Sequence, residues 1–170
     1  VMTSVDGGIT WTSQVSAVDN DWTSVCFSDS LILFVAVSSS GVGNRVMTSP
    51  DGITWTSRVS ASDNDWTSVS WNGSVFVAVA KSGTGNRVMT SPDGITWTSR
   101  VSAVDNDWTS IFSDGSMMVA ISNTGTANRV MTSSDGITWT SRLTGSDNSW
   151  NSVCSVDGRF VAVASSGVDR

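Results

Sequence analysis

Apolar and polar positions alternate along this chain in short bursts, and no stretch keeps a helical period. The segment Trp66 to Trp71 (WTSVSW) reads as a strand, rich in β-branched and aromatic residues. Val75 to Ala80 (VFVAVA) is apolar on both alternating faces, as expected of a strand covered on two sides. Asn72-Gly73 between them is the strongest short hairpin signal. A Gly-rich loop, Ser82 to Asn86, leads into Arg87 to Ser91 (RVMTS), and the turn Pro92-Asp93-Gly94 leads into Ile95 to Val101 (ITWTSRV), a second hairpin. Pro pre-sets φ in such a turn, Asp caps it through its carboxylate, and Gly accepts the positive φ that ends it.

The same pattern recurs along the chain as four copies, 1–45, 46–87, 88–129 and 130–170, of about 42 residues each. Trp11, Trp55, Trp97 and Trp139 stand in step, as do Trp22, Trp66, Trp108 and Trp150, and Arg45, Arg87, Arg129 and Arg170. A four-stranded sheet of that size cannot bury two apolar faces alone, so it needs a neighbour on each side. Four short antiparallel strands per repeat at this period predict a single all-β domain over 1–170, a β-propeller of four-stranded blades.

Val1 to Ser4 corresponds to the third strand of a blade and Phe160 to Ala164 to the second. The two half-blades are expected to pair, so that the N- and C-terminal hairpins close the ring and protect its edges. One chain closing on itself makes a monomeric ring of four blades; two chains make a homodimer with an eight-bladed ring; a solenoid or filament is the third arrangement. Val1 lies inside a repeat, as expected of a processed chain or of one segment of a longer array.

Composition changes the picture mainly by what is missing. The chain has no His and no Tyr, and every acidic residue is Asp, which removes the usual general acids and bases. Ser and Thr are plentiful but lack a base to activate them, and zinc sites lack His and paired Cys, so an enzyme is not expected. A net charge of -6 disfavours a nucleic-acid partner. No apolar run is long enough for a membrane-spanning helix. Cys26 and Cys154 occupy equivalent places in copies one and four and are expected to be buried free thiols rather than a disulfide.

The run Ser4-Val5-Asp6-Gly7-Gly8-Ile9-Thr10-Trp11 matches the pattern Ser-x-Asp-x-Gly-x-Thr-Trp, and the chain resembles the Asp-box (bacterial neuraminidase repeat) propellers. The other copies, Ser49 to Trp55, Ser91 to Trp97 and Ser133 to Trp139, are one residue shorter. The resemblance implies that Asp6, Asp51, Asp93 and Asp135 brace a turn and that Trp11, Trp55, Trp97 and Trp139 pack beneath it, away from the usual ligand face. It does not transmit an activity, because that family includes glycosidases, lectins, sorting receptors and assembly factors. Sialidases of the family use a Tyr nucleophile assisted by Glu, and both residue types are absent here.

Candidate binding residues therefore fall on the opposite loops. One loop type carries Asp19-Asn20-Asp21-Trp22, Asp63-Asn64-Asp65-Trp66, Asp105-Asn106-Asp107-Trp108 and the weaker Asp147-Asn148-Ser149-Trp150. The other carries Gly43-Asn44-Arg45, Gly85-Asn86-Arg87, Ala127-Asn128-Arg129 and Val168-Asp169-Arg170. Asp, Asn and Arg hydrogen-bond hydroxyls and Trp offers an apolar platform, which suits several equal, weak carbohydrate pockets. Calcium is the alternative ligand for these oxygens, and no other cofactor is indicated. The third reading is structural: Asp and Asn cap loops, Arg pairs with Asp across blades, and Trp fills the gap between sheets. Trp71, with no Trp counterpart in other copies, is either core or an exposed platform. The expected function is thus a lectin-like, non-catalytic module meeting a glycan or protein surface, or else a spacer or tile in a larger secreted or viral assembly. The resemblance and the scarcity of Lys point to an extracellular or surface location.

Overall fold

The computed structural model describes residues 1–167, so the loop Val168-Asp169-Arg170 lies outside the described residues. Every regular element in it is a strand. β1 (Met2–Thr3) and β2 (Thr12–Ser13) form a two-stranded sheet. Three four-stranded sheets follow. The first holds β3 (Trp22–Ser28), β4 (Leu33–Ser38), β5 (Val46–Ser49) and β6 (Thr56–Arg58). The second holds β7 (Trp66–Trp71), β8 (Phe76–Ala80), β9 (Val88–Ser91) and β10 (Thr98–Arg100). The third holds β11 (Trp108–Ser113), β12 (Met118–Ser122), β13 (Val130–Ser133) and β14 (Thr140–Arg142). β15 (Trp150–Val156) and β16 (Arg159–Ala164) form a final two-stranded sheet. All pairs are antiparallel and sequential, so each sheet is a meander.

The apolar strand VFVAVA is β8 with one flanking residue, and all five of its residues are buried. Its hairpin with β7 turns at Gly73-Ser74, where Asn72 Oδ1 accepts the N–H groups of Ser74 (2.9 Å) and Val75 (2.8 Å). Trp71 packs its ring 4.5 Å from that of Phe76 and is half-buried, so it belongs to the core margin.

The fourth strand is much shorter than Ile95 to Val101. The N–H groups of Ile95 and Thr96 are taken by the Asp93 carboxylate, both at 2.8 Å, and the Trp97 indole folds back on Gly94 O. Ladder pairing therefore starts only at Thr98.

Successive sheets stack face to face. Val35, Val37 and Val46 of the first meet Trp66, Val69, Ala78, Met89 and Trp97 of the second. Val77, Val79 and Val88 of the second meet Trp108, Ile111, Ala120, Met131 and Trp139 of the third. The largest fully buried side chains, Trp66 and Trp108, sit at these two junctions.

Among the described residues the chain does not close a ring on itself. β1–β2 and β15–β16 are separate sheets, and β15 does not pack on β3 as each inner strand packs on its successor. The outward faces of the first and last sheets stay exposed, with Val25 57%, Val161 49% and Val163 59% accessible. Cys154 is accordingly exposed rather than buried, whereas Cys26 packs against the second sheet. Burial pushes the Cys26 thiol up to about 12, so it stays a neutral, inert filler.

The box turns bear directly on this stacking. Gly136 has φ +76°, and a Cβ there would lie 2.7 Å from Val77 Cγ2 of the preceding sheet. Gly7, at the matching turn with φ +73°, has nothing within 4 Å. Both substitutions to Ala cost roughly 1–2 kcal/mol for the left-handed backbone. Gly136→Ala is expected to lose about 1–3 kcal/mol more through overpacking, a difference that urea unfolding of the two variants will measure.

Candidate functional site

The turns that carry the Ser-x-Asp box pattern are held by their own side chains. Ser49 Oγ donates to Asp51 Oδ1 (2.9 Å) and accepts Gly52 N–H (2.8 Å), while Asp51 Oδ1 accepts Ile53 N–H (2.9 Å) and Thr54 N–H (2.8 Å). Asp93 and Asp135 repeat this set. Trp55, Trp97 and Trp139 each donate their indole N–H to the box glycine carbonyl at 3.0–3.1 Å. In the longer first copy Asp6 also takes the Thr10 hydroxyl, and Trp11 donates to Gly8 O while remaining 55% exposed.

These contacts stabilise the ionised carboxylate. The N–H groups of Thr54 and Ile53 hold Asp51 at about 2, and those of Thr138 and Ile137 hold Asp135 at about 2. For Asp93 partial burial pushes upward but is outweighed by Thr96 and Ile95 N–H, and its net shift is downward. Asp6 is lowered chiefly by the Thr10 hydroxyl, and Asp114 by Met117 N–H on a hairpin turn.

On the opposite loops the candidate residues are brought together, but into contacts with one another. Asn64 Nδ2 donates to Asn86 O (2.8 Å), as Asn20 does to Asn44 O and Asn106 to Asn128 O, tying the two loop types within one sheet. Arg45 crosses to the next sheet. Its Nε donates to Gly41 O (2.8 Å), and its Nη1 donates to Ser39 O (2.8 Å) and Asp65 Oδ1 (3.0 Å). Arg87 repeats this with Gly83 O, Lys81 O and Asp107 Oδ1 (2.7 Å). Arg129 reaches Asn148 O because Ser149 replaces the second Asp of the loop. The first Asp of each loop also reaches back: Asp63 accepts Gly43 N–H (2.7 Å), Asp105 accepts Gly85 N–H, and Asp147 accepts Ala127 N–H (2.8 Å). Asp19 and Asp21 sit on the first loop, where the Asp21 backbone N–H donates to Ser40 Oγ (2.8 Å).

The Trp platform expected of these loops is not presented. Trp66 and Trp108 are wholly buried between sheets and donate inward to Ser62 O and Val104 O, so neither offers a face to a ligand. Trp22 is half-buried and donates to Val18 O. The two-sided apolar packing of a blade draws the large ring that opens each inner strand into the junction. Among the described residues no three acidic or thiol side chains gather as a metal site.

A feature missed by sequence reasoning is the Thr-Ser pair after each of these Trp residues. A bulge falls at Thr23, Thr67 and Thr109. It frees their hydroxyls to donate, at 2.7 Å in each case, to Trp66 O, Trp108 O and Trp150 O of the following sheet. Ser24, Ser68 and Ser110 then accept the N–H of Val69, Ile111 and Val153. The recurrence of Trp-Thr-Ser was the available signal, but periodicity alone does not distinguish a stapling hydroxyl from a strand-forming one.

No family model matches this chain, and no curated protein matches it. Solved structures do match. The computationally designed Ika4 protein is similar with a TM-score of 0.63 at 13% identity, over 91% of this chain and 93% of that one. YCF48 from Cyanidioschyzon merolae is similar with a TM-score of 0.60 at 16% identity, over 86% of this chain and 51% of that one. The computationally designed Ika8 protein gives 0.61 at 15% identity, over 84% of this chain and 42% of that one. This chain thus spans about half of YCF48 and less than half of Ika8. At such identities the likeness is one of fold. Tandem four-stranded antiparallel sheets of β-propeller character are the class to which the chain's architecture belongs.

Carboxylates held below their unfolded pKa of about 3.9 contribute stability that is full above that pH and is lost as pH falls toward 2. Thermal melts between pH 5 and 2 should therefore drop steeply below about pH 4, and Asp135→Asn should flatten that drop. Ala127 holds φ +56° where the other loops place Gly43 and Gly85 at +67°. Ala127→Gly is expected to raise stability by about 1 kcal/mol, read from the urea midpoint.

Proposed function

We propose that this chain is a non-catalytic structural module, a run of propeller-type blades used as a spacer or tile in a larger assembly. The supporting observation is that the polar loop groups best suited to a ligand are spent on joining blades, with Arg45 and Arg87 each tied to two carbonyls and a carboxylate. The lack of His, Tyr and Glu is consistent with this reading. The Asp-box resemblance fits it too, since the box residues engage their own turn.

A lectin-like module with several equal, weak sugar sites is the second reading, and one observation favours it. Asp65 and Asp107 engage their Arg through one oxygen each and keep side chains 40% and 41% exposed, leaving acceptors at equivalent places on successive blades. Glycan-array screening and calorimetry separate the two. The structural reading expects no saturable sugar binding, with Asp65→Ala lowering the melting temperature by about 2–4 °C for a loss of about 1 kcal/mol. Saturable binding abolished by Asp65→Ala, with the fold retained, would sink it in favour of the lectin.

A further inference from the structure

The junctions between sheets are copies of one another, and one half of each kind is left open. The projecting half is a pair of valines on the second strand, Val35 and Val37 or Val77 and Val79, all fully buried on the next sheet. It recurs on β16 as Val161 and Val163, which are exposed, with Cys154 paired beside Val161 on the same open face. The receiving half is Trp66, Val69, Ala78, Met89 and Trp97 in the second sheet. It recurs in the first sheet as Trp22, Val25, Ala36, Met47 and Trp55, which line an open groove of about 320 Å³ together with Val1 and Met2. The groove and the exposed valines are thus the two sides of one junction, already built twice within the chain.

We propose that this groove takes Val161 and Val163 of a second copy of the chain, and that two copies do so reciprocally to form one ring. The β15–β16 sheet of each copy is completed by β1–β2 of the other. The register follows from the intact sheets, where Phe34, Val35, Ala36 and Val37 pair with Ser49, Thr48, Met47 and Val46. Phe160, Val161, Ala162 and Val163 accordingly pair with Ser4, Thr3, Met2 and Val1 of the second copy. That composite sheet lays Met2 and Trp11 over Val119, Ile121 and Val130, where the other junctions place Met89 and Trp97. Ser152 Oγ accepts Val25 N–H across the new junction as Ser24 accepts Val69 N–H, and Asn151 stands where Thr109 donates.

A second copy is the occupant because the chain's own two half-sheets lie at opposite ends of the stack, with three complete sheets between them. A head-to-tail contact of this kind closes into a ring when its rotation allows, and two copies leave neither face bare. This assembly is independent of whether the loops bind sugar.

Sedimentation equilibrium tests it. The chain should give twice its 17.9 kDa mass. Val163→Asp and Val25→Asp should each return it to the single-copy mass with the β-sheet circular dichroism intact, since these side chains are 59% and 57% exposed in one copy. In a Cys26→Ser background, Cys154 should react with a thiol reagent at least tenfold faster once Val163→Asp is introduced. A single-copy mass at every concentration overturns the proposal. So does a mass that climbs without a plateau, or a dimer that survives both substitutions.

Discussion

A sheet of four short strands with two apolar faces has no stable existence by itself, and the rest of this molecule follows from covering those faces. β8 is buried on both sides along its whole length. That is possible only because the first sheet lies on one face and the third on the other. Burying a valine or larger side chain is worth about 1.5–3 kcal/mol, so each junction of seven or more apolar residues outweighs any single polar contact in the structure. The junction is therefore the unit of stability, and the sheet is only what carries it.

The polar groups complete the junction rather than compete with it. Thr67 and Ser68 staple one inner strand to the next near the buried centre, and Arg87 clasps the loops at the rim. Two distances from the core are fastened by two chemistries. The hydroxyls satisfy backbone groups left over by the bulge, where an unpaired carbonyl would be costly. The guanidinium sits where it is largely covered while its Asp partner is partly solvated, so its charge is not stranded. The same Asp, Asn and Arg residues could have formed a ligand site. Here the spacing of the loops brings them within reach of each other first.

Much of this was legible in the residues. The repeat, the two-sided strand VFVAVA and the Pro-Asp-Gly turn all express local rules, and local rules survive the absence of a structure. What was hidden depended on the third dimension. Trp66 reads equally well as a platform or a plug until its neighbour sheet is placed. The fourth strand was overestimated because Asp93 takes backbone donors that a strand pattern assigns to the ladder. Thr67 looked like an ordinary strand residue, although the three-residue step from Trp66 to Val69, both buried, breaks the period of two where the bulge falls.

Repetition also explains why departures from the repeat are informative. Val69, Ile111 and Val153 hold one position and are all buried, so the 57% exposure of Val25 cannot reflect its chemistry. It reflects only the lack of a preceding sheet on that face. The same holds for Val161 and Val163 against Val77 and Val79, and for Cys154 against Cys26. In a non-repetitive protein an exposed valine carries little information, because surfaces are full of apolar atoms. In this one each position has its own internal controls, and they identify which exposed residues belong to an unfilled junction.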